Sequence, residues 1–262
     1  MAESANATTS KFEFPTEIIE LPSKGLIYPK SSPLSKGTVE IKYMTAREED
    51  ILASQNLIKK GVVLDKLFES VVVEPGVNIN DIFIGDKNAI LLATRILGYG
   101  ADYEVEMTDP FTFEKQKVVI DLGKVKTKDI DESVLNEKNR YTFKCPTSGK
   151  VLEFKLLNHG DEQDITKEIQ ALEKLNKNAS TAFDVTTRLK YMIQSVDGNK
   201  DRGYINKWVS NEFLARDTKA FRAYVKSISP DLDLTFHFTS DVTGESEALD
   251  IPFGVSFFYP SI

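Results

Sequence analysis

Gly85-Asp86-Lys87-Asn88-Ala89-Ile90-Leu91-Leu92-Ala93-Thr94-Arg95-Ile96-Leu97-Gly98-Tyr99-Gly100-Ala101-Asp102-Tyr103-Glu104-Val105-Glu106-Met107 changes its hydrophobic period part-way along. Ala89, Ile90, Ala93 and Leu97 recur at helical spacing, with Asp86 placed to cap the start and Gly98 to end it. Beyond Gly100 the period drops to two: Tyr103, Val105 and Met107 alternate with charged residues. Val118, Ile120 and Leu122 repeat that alternation after Asp109-Pro110, which reads as a β-hairpin. A helix feeding directly into a hairpin sets the pattern for the chain.

On the N-terminal side, prolines at 15, 22, 29 and 33 forbid a helix, so that stretch is predicted to be extended and to add an edge strand. Val39 to Tyr43 alternates as a short strand. Thr45-Ala46-Arg47-Glu48 is a capping-box sequence ahead of a helix with Ile51, Leu52, Gln55 and Ile58, ended by Gly61. Asp65 is expected to cap a second helix carrying Leu67, Phe68, Val71 and Val72. On the C-terminal side a second hairpin is expected, with Tyr141, Phe143 and Cys145 on one strand, Pro146 to Gly149 at the turn, and Leu152, Phe154 and Leu156 returning. Helical stripes follow at Ile165-Ile169-Leu172 and Val185-Leu189-Met192-Val196. Asp201 and Asp217 are placed to cap two more helices. Leu232, Leu234, Phe236 and Phe238 then alternate into a last hairpin. The fold class read from this order is α+β, helical blocks alternating with antiparallel β-hairpins. The expected organisation is a flexible arm at 1–17, a helical block with hairpin at 18–122, a charged connector at 123–139, and a hairpin, helical block and C-terminal hairpin at 140–262.

Composition narrows function. The chain has 262 residues and a net charge of −7, with pI near 5.1. That balance is ill suited to gripping a phosphate backbone, so no nucleic-acid partner is expected. No run approaches the roughly 18 apolar residues of a membrane span. The first residues have neither a basic nor an apolar leader region, so no signal peptide is expected. Cys145 is the single cysteine, and His159 and His237 are the two histidines. Such a set is too small for an ordinary Cys/His zinc site, and no metal and no cofactor are expected.

Candidate chemistry is sparse. Cys145 shares a strand face with Tyr141 and Phe143 and reads as a small core residue, not a nucleophile. Asp231 and Asp233 share a strand face, but with no supporting histidine or third carboxylate they read as a turn-capping residue after Pro230 and a solvent-facing strand residue. His159-Gly160-Asp161-Glu162 reads as a turn whose acids complement a helix N-terminus. Lys200, Arg202 and Lys207 with Trp208 read as a solvated helix face. No Walker loop, nucleophile elbow, HExxH or EF-hand spacing is present, and no catalytic residue is assigned.

Four segments in order carry a resemblance: Leu21-Pro22-Ser23-Lys24-Gly25-Leu26-Ile27-Tyr28-Pro29 with Met44 to Asp50; Gly85-Asp86 leading to Thr94 through Gly100 and Tyr103; Lys155-Leu156-Leu157 with Gly160-Asp161-Glu162; and Ala215-Arg216-Asp217 through Pro230 to Leu234, Ile251-Pro252-Phe253-Gly254 and Phe257 to Pro260. Together they resemble the small baseplate hub protein family of T4-like contractile-tailed phages, from about residue 18 to the end.

The resemblance implies a non-enzymatic tail protein: a structural subunit of the baseplate hub, or a hub assembly factor absent from the mature virion. A tail-associated hydrolase is the rival from another class. Implied partners are other baseplate hub and tail-tube proteins and further copies of the chain. The implied location is the virion tail baseplate, with the host cytoplasm during assembly. Some relatives resemble one another in Cys-Pro-x-Cys knuckles at hairpin tips. Here those places read Thr108-Asp109-Pro110-Phe111 and Ser240-Asp241-Val242-Thr243, so no zinc site carries over. The expected contact residues are Phe12, Phe14, Leu26 and Tyr28 near the start and Phe253, Val255, Phe257, Phe258 and Tyr259 at the end. They are aromatic or apolar side chains that a local core need not use. The terminal five are expected on an extended chain with aromatic mass on both faces.

Overall fold

A computed structural model describes residues 15–175 and 184–258. Strands β1 (Thr16–Glu20) and β2 (Thr38–Lys42) pair antiparallel, Thr16 opposite Lys42 and Glu20 opposite Thr38. The chain is therefore already paired at Thr16 and Glu17, inside the stretch expected as a free arm. Phe12 and Phe14 lie outside the described residues.

Glu48 returns to the Thr45 amide at 2.9 Å and opens α1 (Ala46–Ala53). Ser54 interrupts the expected continuous helix with an extended ψ of 102°, and α2 (Gln55–Lys59) resumes it. Next come α3 (Val63–Val71), which buries Val63, Leu67, Phe68 and Val71, and α4 (Ile84–Tyr99). Gly100, at φ +86°, ends α4. Gly98, expected in that role, is still helical and lies beneath Met44, where a Cβ would approach the Met44 methyl to 2.2 Å.

Strands β3 (Asp102–Thr108) and β4 (Lys115–Asp121) form the expected hairpin, Tyr103 opposite Ile120 and Val105 opposite Val118. The charged stretch that follows lies along the body: β5 (Lys126–Thr127) is paired, and Val125, Val134 and Leu135 pack on the core. After it come β6 (Tyr141–Lys144), β7 (Val151–Phe154), α5 (His159–Leu175) and α6 (Asp184–Met192).

Val196 does not continue the α6 stripe. The chain leaves the helix at Met192, and β8 (Ile193–Val196) adds a third strand to β6 and β7, with Val196 opposite Leu152. Two more helices, α7 (Arg202–Asn211) and α8 (Ala215–Ile228), precede β9 (Leu232–Asp233), which pairs with β5. A last hairpin joins β10 (Thr235–Thr239) to β11 (Ser246–Asp250). The fold is α+β, as read from the sequence.

Buried side chains from Leu21 to Phe258 form one contiguous core that runs through both helical blocks. Its aromatic centre is Phe154, Phe221 and Phe143, with ring centroids 5.0 Å apart for Phe154–Phe221 and 5.5 Å for Phe143–Phe221. The blocks meet at Gly85. A Cβ there would stand 1.8 Å from the Pro230 carbonyl oxygen, so no side chain fits. Asn88 on the next turn of α4 donates to Asp231 at 3.0 Å.

Asp201 caps α7 by accepting the Tyr204 amide at 2.7 Å, as expected. Asp65, Asp86 and Asp217, expected as caps, each occupy the third position of their helix instead. From there they reach another segment: Asp65 takes Lys87, Asp86 takes Ser23 and Tyr28, and Asp217 takes Thr147 and Ser148.

Candidate interaction surface

Three polar clasps tie distant segments into a frame. In the first, the fully buried Asp86 carboxylate accepts the Ser23 amide at 2.9 Å, the Ser23 hydroxyl at 2.7 Å and the Tyr28 hydroxyl at 2.6 Å. Tyr28 in turn accepts the Phe83 amide at 3.1 Å. Burial raises the Asp86 pKa, against the pull of these hydrogen bonds. The clasp seats the Pro22-to-Pro29 loop on the first turn of α4, joining the first two segments of the resemblance.

In the second clasp, Arg95 is 1% exposed. Its Nε donates to the Phe257 carbonyl at 2.9 Å and its Nη1 to the Gly100 carbonyl at 2.8 Å. The guanidinium also lies over the rings of Tyr99, Tyr103 and Phe257, 5.2 to 6.0 Å from their centroids. Phe257 is therefore tied to α4 and to β3.

The third clasp involves a turn that occurs three times. Asp109, Cys145 and Ser240 each begin a five-residue hairpin tip. The first residue donates its amide to the sixth carbonyl (Glu114, Lys150, Glu245) at 2.8, 2.8 and 2.9 Å. The fifth residue donates back to the first carbonyl at 2.8, 3.0 and 2.9 Å. The fourth residue is a hydroxyl each time: Thr112, Ser148 and Thr243. The fifth is left-handed each time, at φ 62° for Phe113, 71° for Gly149 and 73° for Gly244.

In two tips the first side chain gathers the inner amides. Asp109 Oδ1 accepts Phe111 and Thr112 at 2.7 and 3.3 Å, and Ser240 Oγ accepts Val242 and Thr243 at 3.3 and 3.1 Å. In the third tip the inner amides of Thr147 and Ser148 go to Asp217 at 2.7 and 3.0 Å. Cys145 is 1% exposed, and burial pushes its thiol pKa up.

Two of these tips meet. Ser240 Oγ donates to Asp109 Oδ2 at 2.5 Å, and Gln116 bridges to the Thr239 carbonyl and the Asp241 amide at 2.9 and 3.0 Å. Burial works against the Asp109 carboxylate, yet Ser240 and the inner amides hold its pKa below the usual value. The structural match places Asp109 and Thr112 opposite Ser240 and Thr243, one residue later in the first tip than the Thr108–Phe111 window. A carboxylate bonded to a serine hydroxyl does not fit a thiolate zinc site. Among the described residues no group of three or more His, Cys, Asp or Glu could hold a metal ion.

The expected contact residues divide. Leu26 is 41% exposed, and Phe253 and Val255 are half-buried. Tyr28, Phe257 and Phe258 are buried inside the chain. Tyr28 serves the Asp86 clasp, and Phe257 packs edge-on to Tyr103 at 5.0 Å. Residues Val255–Phe258 form a 3₁₀ turn, not an extended strand, which turns both adjacent rings into the core. Their expected role as contacts for a neighbour gives way to a core role. Tyr259 lies outside the described residues.

The large apolar side chains left exposed at the joined tips are Phe113, at 81%, and Val242, at 70%. The sequence reading passed over both. Phe113 takes the place that glycine holds in the other two tips, at a backbone cost of about 1–2 kcal/mol for a side chain in the left-handed region.

Other candidate chemistry is absorbed by structure. Asp161 completes a reciprocal cap with Asn158 and takes Lys155 at 2.6 Å. His159 is buried between Lys87 Nζ at 3.2 Å and Gln163 at 3.1 Å, and burial followed by the Lys87 charge lowers its pKa. The Asp231–Asp233 pair is split: Asp231 takes Asn88 and Lys128, while Asp233 takes the Thr235 hydroxyl at 2.8 Å. A shallow cleft of about 310 Å³ between the helical blocks is lined by Asp231 and Glu162, and Arg188 pairs with Glu162 there.

The geometry is thus an α+β frame pinned by polar clasps, with an apolar pair displayed on joined hairpin tips. Residues 17–258 match the family model described as T4 bacteriophage base plate protein, and the chain belongs to that family. It is a phage baseplate component. No curated protein and no solved structure matches it. No helix among the described residues is long and apolar enough to cross a membrane.

Proposed function

We propose that the chain is a structural subunit of the baseplate hub and acts by protein–protein assembly, without catalysis. The observation that carries this reading is the use made of the polar residues. Asp86, Arg95 and Asp217, which sit in the segments that carry the family resemblance, and Asp109 in the β3–β4 tip all join one part of the chain to another. A frame of this kind holds its outer surface rigid, which suits a part that must fit several neighbours at once. Its partners are other hub and tail-tube proteins in the virion tail, which it meets first in the host cytoplasm.

Quantitative mass spectrometry of purified tails tests the reading. A fixed stoichiometric content supports a structural subunit. Presence in assembly intermediates with absence from finished tails assigns an assembly factor instead. Clearing of peptidoglycan by the purified chain would overturn the non-catalytic reading.

A further inference from the structure

We infer that the joined tips of β3–β4 and β10–β11 are a docking knob, with Phe113 as its anchor, for an apolar socket rimmed by basic residues on a different baseplate protein. The proposal rests on membership of the baseplate family and holds for a hub subunit and an assembly factor alike.

Three observations converge on Phe113. The same turn is built three times in this chain, and its fifth position is Gly149 and Gly244 in the other copies. Among the three tips, the phenyl group at φ 62° is therefore the one departure from the residue the backbone prefers. Among the described residues little is gained from it, since Phe113 is 81% exposed. An aromatic side chain held in a strained backbone position and left in water gains when a partner buries it, as aromatic anchors do at the centre of interfaces.

The surroundings give the knob both rigidity and sign. Ser240 to Asp109 and the two Gln116 bonds lock one hairpin to the other, so Phe113 and Val242 are displayed from a fixed base. Val242 and Glu114 line the same shallow depression between the tips. Asp241, Lys115 and Lys117 line it too, and Glu245 and Glu247 are exposed beyond it, after the tip and on β11. The β10–β11 hairpin holds no Lys or Arg from Thr235 to Asp250. Lys115 is already held by Glu106 at 2.6 Å, which leaves Lys117 as the remaining cation near the tips. An acidic rim fits a basic one and repels a second copy of itself.

The test is the full-length chain carrying Phe113→Gly, supplied to infected cells that lack their own copy. The expected result is an unchanged or raised melting temperature with at least a ten-fold loss of completed baseplates; Phe113→Leu restores most of the yield. A photo-cross-linking phenylalanine analogue at 113 should form its adduct with another baseplate protein. A normal baseplate yield with Phe113→Gly overturns the proposal. So does a lowered melting temperature, which would make Phe113 a structural residue, and so does an adduct between two copies of the chain. Finished tails that lack the chain while Phe113→Gly still blocks their completion would sink the subunit reading and keep the knob.

Discussion

Ser240 Oγ donates to Asp109 Oδ2 across 2.5 Å, joining two hairpin tips 131 residues apart in sequence. Each partner also gathers two amides of its own tip, so one bond couples two preorganised turns.

The coupling is measurable. Ser240→Ala should cost about 2 kcal/mol, because it strips a charge-assisted bond and leaves buried groups unpaired. Asp109→Ala should also destabilise, and the double variant should lose little more than the worse single one. Urea unfolding of the four proteins in a double-mutant cycle checks this; strict additivity would mean the two tips are independent. A strong chelator should leave the unfolding midpoint where it was.

Asp86→Ala should cost about 3 kcal/mol or more, since the Ser23 amide, the Ser23 hydroxyl and the Tyr28 hydroxyl all lose their acceptor in a buried site. Asp86→Asn should recover only part of the loss. Both hydroxyls share Oδ2 while the Ser23 amide takes Oδ1, so an amide oxygen in the Oδ2 place keeps the two hydroxyls and sets its NH2 against the Ser23 N–H, which loses its acceptor. Thermal melts of the two variants rank them. Equal stability of Asp86→Ala and the natural chain would remove the clasp from the account.

The change of period at Gly100 made the α4-to-β3 step legible from residues alone, and the turn signals placed each hairpin. The clasps were not legible, for a physical reason. Asp86 lies 63 residues from Ser23 and 58 from Tyr28, whereas capping is a local rule. Read locally, Asp65, Asp86 and Asp217 become caps; in the fold each sits one turn further in and serves a remote segment. β8 was missed because Ile193 and Val196 continue the helical spacing of Leu189 and Met192, and only pairing with β7 makes them strand. The tips carried a faint signal in the hydroxyl shared by Thr112, Ser148 and Thr243. The exposed Phe113 carried none, because exposure is a property of the fold.

Acid should unlock the Lys42–Glu48 corner. Burial works against the Glu48 carboxylate, but Lys42 at 2.8 Å, Ser70 at 2.6 Å and Thr45 hold its pKa at about 2. The folded value lies below the unfolded one of about 4.3. The stabilisation is therefore complete above the unfolded value and is lost as pH falls from about 4.3 towards the folded value of about 2. Asp86 has the opposite sign: its raised pKa costs stability as pH rises past its unfolded value. Glu48→Gln should flatten the acid limb of a stability-versus-pH curve. An unchanged acid limb in that variant would place the loss elsewhere.

The Val255–Phe258 turn should behave as core. Phe257 is fully buried, packs on Tyr103, and offers its carbonyl to Arg95. Phe257→Ala should cost about 3–5 kcal/mol, the range for emptying a buried phenylalanine site. Arg95→Ala should cost about 3 kcal/mol, because the Phe257 and Gly100 carbonyls lose their donor and three rings lose the cation above them. The two changes should be coupled, since each removes half of one contact. Removing residues 253–262 takes out Phe257 and Phe258 together, so the shortened chain should unfold or aggregate. Hydrogen exchange provides the sharper reading: in Arg95→Ala, protection should fall at Val255 to Phe258 and along β3 while β6 to β8 keep theirs. Loss spread evenly over the chain would mean that Arg95 acts on the whole core. No loss at the terminus would show that the C-terminal aromatics hold their place without the clasp.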